Sequence, residues 1–207
     1  MGAIAIYVLV MVVWVAGVAY RRRWPREQRV FQKATISYNA GPLIDRHVRK
    51  SSTLLVTGGD GLAVHKAGYP WNGYLSKWLT RGVHIEYLLL DHTSQALDRL
   101  AELQANPGQG SLRVRTIDWS RVPATGEDRA TLEKMKTFHF VLGSKPKLMW
   151  IELEHFPGTV EARDCEFSPP DVVERDPRYD TLKRKFDDVV LRYAVEQQAS
   201  QPTAVAV

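Results

Sequence analysis

The alternation of apolar and polar positions divides the chain into three stretches. From Met1 to Tyr20 no side chain is charged and the run is almost wholly apolar. As a helix rising about 1.5 Å per residue, such a run reaches across the roughly 30 Å hydrocarbon core of a bilayer. The pattern therefore predicts a single transmembrane helix over 1–20. Arg21-Arg22-Arg23 follows the apolar run instead of preceding it, the reverse of a secretory signal peptide. This flank predicts an N-terminus outside and the rest of the chain in the cytoplasm, as a single-pass protein of the inner (cytoplasmic) membrane. The bilayer is then the expected partner of Met1 to Tyr20, and anionic lipid headgroups that of Arg21, Arg22 and Arg23.

The second stretch, 21–50, reads as a basic juxtamembrane helical linker. Pro25 suits a first helical position and Arg26 to Lys33 continue it. Asn39-Ala40-Gly41-Pro42 breaks that helix, and a short helical segment resumes over Leu43 to Arg49.

The third stretch, 51–198, alternates between strand and helix periods. Strands are predicted over Thr53 to Thr57, Val83 to Leu90 and Leu112 to Ile117. Helices are predicted over Pro70 to Thr80, after a Thr93-Ser94 cap, and over Glu127 to Met135. Three strand-like segments follow, Thr137 to Leu142, Lys147 to Glu154 and Thr159 to Phe167, with turns at Gly143-Ser144-Lys145-Pro146 and Phe156-Pro157-Gly158. A last amphipathic helix is predicted over Tyr179 to Gln197, with 199–207 a disordered tail. The expected fold class is α/β: an N-terminal single transmembrane helix, then a mixed-sheet α/β domain with helices on both faces.

Composition narrows this picture. The chain has 207 residues, 44% hydrophobic and 25% charged, which excludes collagen, coiled coil and wholly disordered classes. Its one cysteine, Cys165, excludes an intramolecular disulfide framework and agrees with a reducing compartment. The net charge of +5 suggests a nucleic-acid binder until it is located. Arg21 to Arg29 hold five arginines against Glu27, leaving 23 basic and 22 acidic side chains elsewhere. The domain is thus near neutral, which argues against nucleic acid as a partner.

In open α/β sheets the ligand crevice lies beyond the C-terminal ends of the parallel strands. There the pattern places the loop Gly58-Gly59-Asp60-Gly61, Asp91-His92 and Asp118-Trp119. The glycine loop can present backbone N–H groups to a phosphate, although it matches neither common nucleotide-binding glycine motif. The six histidines form no metal-ligand spacing, so neither a metal nor a cofactor is expected. Glu152 and Glu154 read as a solvated row, with His155 on the opposite face. His139 stands out because it interrupts the apolar run Thr137-Phe-His-Phe-Val-Leu142, where a polar group needs a partner.

The strand, loop, helix and strand from Thr53 to Asp91 resemble the opening of a phospholipase D-like half-domain. Phe138-His139-Phe140-Val141, the turn, and Lys147-Leu-Met-Trp-Ile151 are similar to the strand pair carrying that family's H-x-K-x-x-x-x-D motif. The resemblance implies a phosphodiester chemistry in which the histidine attacks phosphorus and the lysine binds the phosphate. His139 matches the histidine, but Val141 stands at the lysine position and Pro146 at the aspartate position. Lys145, beside the motif, is the candidate replacement cation.

The leading expectation is a non-catalytic domain that binds a partner protein or a phosphorylated ligand through Gly58, Gly59, Asp60, Gly61, Asp91 and Lys145. The alternative is a phosphodiesterase with His139 as nucleophile, which would act as a homodimer because the family's site uses two histidines. A third is an accessory subunit of a membrane complex, so further copies or complex subunits are candidate partners.

Overall fold

The computed structural model describes residues 29–31, 34–35, 40–59, 61–65, 70–136, 139–152, 161–162 and 165–197. In chain order its strands are β1 (Arg29–Phe31), β2 (Ala34–Thr35), β3 (Thr53–Gly58), β4 (His84–Leu89), β5 (Ser111–Ile117), β6 (Phe140–Ser144), β7 (Lys147–Glu152), β8 (Glu161–Ala162), β9 (Cys165–Ser168) and β10 (Ala194–Gln197). Eight of them form one mixed sheet in the order β1-β9-β7-β6-β3-β4-β5-β10, and β2 pairs with β8 separately. β3, β4 and β5 are parallel; the other pairings are antiparallel.

The period-2 pattern sends alternate side chains to opposite faces. Leu54, Val56, Ile85, Tyr87, Leu112 and Val114 go to one face, beneath α1 (Gly41–Asp45), α3 (Trp71–Thr80) and α4 (Ser94–Ala105), with the short α2 (Leu62–His65) alongside. Trp71 and Trp78 are fully buried there. Leu55, Leu88, Ile117, Phe140, Leu142, Met149 and Ile151 go to the other, beneath α5 (Glu127–Met135), α6 (Pro170–Val173) and α7 (Pro177–Lys185) with its continuation to Tyr193. Two turn devices fix the crossovers. The Thr93 hydroxyl accepts from Ala96 N at 3.2 Å, a cap worth about 1 kcal/mol. Gly82, at φ +85°, turns the chain out of α3 into β4, a left-handed conformation that costs glycine little.

Three expectations need correction. The fold class changes in its membrane part: among the described residues no helix is long and apolar enough to cross a membrane, and the structure carries a mixed α/β domain. The span predicted over 1–20, and Arg21, Arg22 and Arg23 beside it, lie outside the described residues. Next, Arg29–Phe31 is a strand and not part of a helix, because its backbone pairs with Phe167, Glu166 and Cys165 of β9; sheet pairing overrides the local helical reading. Lastly, the terminal helix does not run to Gln197. It widens into a π-helical turn over Phe186–Val190 and ends at Tyr193, and Ala194 is extended at φ −73° and ψ 141°. The gain that straightens it is a ladder with β5, joined by a Gln197 Nε2 donation to Thr116 Oγ1 at 2.8 Å.

Candidate functional site

β3 and β4 run out together at the C-terminal rim of the parallel strands. Gly58 O accepts from Leu90 N at 3.1 Å and Gly59 O from Asp91 N at 2.8 Å, so the glycine loop continues beside β4 past its end. Asp60 lies outside the described residues. Gly61 has φ +74° and its carbonyl accepts from Val64 N, opening α2.

His139 reaches this loop from the antiparallel side. The β6–β7 hairpin pairs Ser144 with Lys147 and Phe140 with Ile151. One step further, His139 O accepts from Glu152 N at 2.8 Å. The two side chains share a face, and His139 Nδ1 stands 2.9 Å from Glu152 Oε2. The other ring nitrogen, Nε2, lies 3.1 Å from Lys136 O. Both ring nitrogens thus face oxygen atoms. His139 is 5% exposed and Glu152 1%. Glu152 is therefore not part of a solvated row, which corrects the sequence reading; Glu154 and His155 lie outside the described residues.

Gly59 closes the enclosure. A Cβ there would stand 2.7 Å from His139 Nε2 and 3.0 Å from Lys136 O, so only glycine lets the loop lie against the imidazole. Lys136, just past α5, presents its ammonium 4.1 Å over the Trp119 ring, and Arg129 lies 5.0 Å over the same ring. Glu133 binds both cations, at 3.0 Å to Lys136 and 2.8 Å to Arg129. The Lys136 hydrogen bond, with the charges of Lys136 and Arg129, holds the Glu133 carboxyl below its ordinary range, against an opposing desolvation. Trp119 is fixed in turn by donation from its Nε1 to Leu90 O at 2.8 Å. Asp91 and His92 are exposed at the same rim.

The sequence-predicted residues divide accordingly. Gly58, Gly59, Gly61, Asp91 and His139 come together. Lys145 does not: the β6–β7 turn lies beyond Gly143, which pairs with Leu54 at the start of β3. The four residue steps of strand from Phe140 to Ser144 put it about 13 Å further along the sheet. Lys147 is engaged there with Asp180 at 3.4 Å and over the Tyr179 ring. Val141, at the motif's lysine position, is fully buried. Trp119 stands at the rim where the pattern placed it; the residues that sequence reasoning missed are Glu152 and Lys136. A signal for the first was present, since extending the hairpin from its turn sets Glu152 opposite His139. Among the described residues no three His, Cys, Asp or Glu side chains are grouped to hold a metal.

The N-terminal end of the same strands is open. A groove of about 400 Å³ is lined by Thr53, His84, Glu86, Ser111, Arg113 and Glu196 among others. His84 Nδ1 and Ser111 Oγ lie 2.9 Å apart. Glu86 pairs with Arg115 at 2.6 Å and Arg113 with Glu196 at 3.5 Å.

No family model matches the chain, and no curated protein does. Among solved structures it is similar to a polyphosphate kinase from Porphyromonas gingivalis, at 13% identity and a TM-score of 0.47, over 86% of this chain and 25% of that one. It is also similar to TrmBL2, an archaeal chromatin protein, at 12% identity and a TM-score of 0.47, over 91% of this chain and 62% of that one. The chain thus spans less than two thirds of either protein.

Proposed function

We propose that the domain is a non-catalytic binding module on a degenerate phospholipase D-like half-domain, and that its strand-end rim takes a phosphorylated ligand. The enclosure of His139 carries this reading. Attack on phosphorus needs a free lone pair on Nε2 and a path to it, and that nitrogen is held against Lys136 O beneath Gly59. Val141 and Pro146 supply neither the cation nor the carboxylate of the family motif. Support for a phosphate comes from the two cations gathered on Trp119 beside a glycine loop, a combination of charge and backbone donors suited to an anion.

A second reading has one observation in its favour. A carboxylate 2.9 Å from Nδ1 is the contact that orients an imidazole for chemistry at Nε2. On that reading the chain is a homodimeric phosphodiesterase with His139 as nucleophile. One experiment separates the two. The expected result is no hydrolysis of bis(p-nitrophenyl) phosphate, with NMR shifts at Gly58, Gly59 and the Trp119 indole on titrating a nucleoside monophosphate, reduced by Lys136→Ala. Turnover lost in His139→Ala would overturn the binding-module reading. Absence of both turnover and shifts would remove the rim as a phosphate site.

A further inference from the structure

β10 is an edge of the sheet: among the described residues no strand lies on its far side. Its ladder with β5 fixes which backbone groups remain. Tyr193 O accepts from Asp118 N at 2.9 Å, and the register continues as Ala194↔Ile117, Val195↔Thr116, Glu196↔Arg115 and Gln197↔Val114. Antiparallel pairs alternate between bonded and non-bonded. Val195 and Gln197 therefore exchange hydrogen bonds with β5, while the N–H and C=O groups of Ala194 and Glu196 point outward. Protein edges are ordinarily blunted by charge, proline or a bulge. This one carries Val195 at its centre, 39% exposed. Leu191, 38% exposed, lies four residues before it, and these are the two exposed large hydrophobic residues among those described.

We propose that β10 pairs antiparallel with β10 of a second copy of this chain, on a two-fold axis through Val195. In that register Ala194 lies opposite Glu196 of the second copy, so both outward residues of each strand exchange hydrogen bonds. Val195 meets Val195 of the second copy in a non-bonded pair, whose Cβ atoms approach to about 4.5–5.5 Å. The charge pattern selects this alignment. Centring the axis on Glu196 would set two carboxylates face to face and use half the bonds; centring it on Ala194 would also use half. Glu196 is partly neutralised by Arg113 of its own sheet, which eases its approach. The assembled dimer is one continuous sheet with an isologous interface, and the small contact makes it weak and concentration-dependent.

Sedimentation equilibrium over a concentration series tests this. The unaltered chain is expected to show a monomer–dimer equilibrium. Val195→Lys should raise the dimer dissociation constant about tenfold or more without moving the thermal melt. Glu196→Pro is a second variant, since its N–H points away from β5 and the β5 ladder survives. The register has its own readout. Val195→Cys should form a disulfide-linked dimer on mild oxidation and Glu196→Cys should not, Cys165 being buried. A chain monomeric at every concentration, a dimer untouched by both variants, or faster cross-linking at position 196 would overturn the proposal.

Discussion

The two ends of the parallel strands each carry a histidine, under opposite conditions. At the C-terminal rim His139 is enclosed, with an acceptor at each ring nitrogen and the backbone of Gly59 packed on it. At the N-terminal groove His84 is exposed, and its imidazole Nδ1 lies beside the Ser111 hydroxyl. Water can reach His84 and the exposed Arg113–Glu196 pair of the groove, so these side chains are free to change. Water cannot reach the His139–Glu152 pair, so each partner becomes a structural requirement of the other. The rim is thus rigid around its histidine, and the groove has a solvated part where the exposed Arg113–Glu196 pair counts for little.

Removing the enclosed carboxylate attacks this contrast hardest. Glu152→Ala leaves His139 beside a cavity with one acceptor gone and is expected to cost about 3–5 kcal/mol, read as a shift in the urea midpoint. A loss below about 1 kcal/mol would mean that solvent reaches the pair. Gly59→Ala should come next. Its Cβ must displace either the imidazole or the Lys136 carbonyl, and overpacking of this kind costs about 1–3 kcal/mol. The His139 ring signals should move with it, whereas those of His84 should not.

The legibility of these features followed the range of the interactions behind them. β4, β5, α3, α4 and α5 were readable because their periodicity is local and their ends carry punctuation: Thr93, Gly82, Pro107. β1 and β10 were misread as helix. Their short segments carry helix-compatible side chains, and only backbone partners distant in sequence, β9 for one and β5 for the other, make them strands. The site was half readable. The oddity of His139 in an apolar strand was visible, and so was the glycine loop. Glu152 was misjudged because strand alternation was counted along β7 alone, without carrying the register back across the hairpin. Trp119 was legible as a residue at the end of β5, but Lys136 had no sequence signal, since their meeting depends on how α5 docks over the strand ends.

The open end should answer mutation weakly. His84→Ala is expected to change stability by no more than about 0.5 kcal/mol, measured by the same urea titration. A larger loss would show that the groove floor is structural, and the contrast with His139 would fail.

The smallest effect sharpens the comparison by placing it on a pH axis. Glu133 has a folded-state pKa below its unfolded one, chiefly through Lys136. A depressed carboxylate contributes stability above its unfolded value, near 4.3, and loses it as pH falls through the folded value. Below pH about 4.3, protonation should therefore release Lys136 and Arg129 from Glu133 and loosen the cations stacked on Trp119. Because Glu133 is only half-buried, the expected readout is local: a displacement of the Trp119 indole N–H signal at acid pH, abolished in Glu133→Gln. If that signal instead moves identically in both proteins, the cations are held by the ring alone. The rim would then owe its order to Trp119 and its anchor at Leu90, with no contribution from the carboxylate between them.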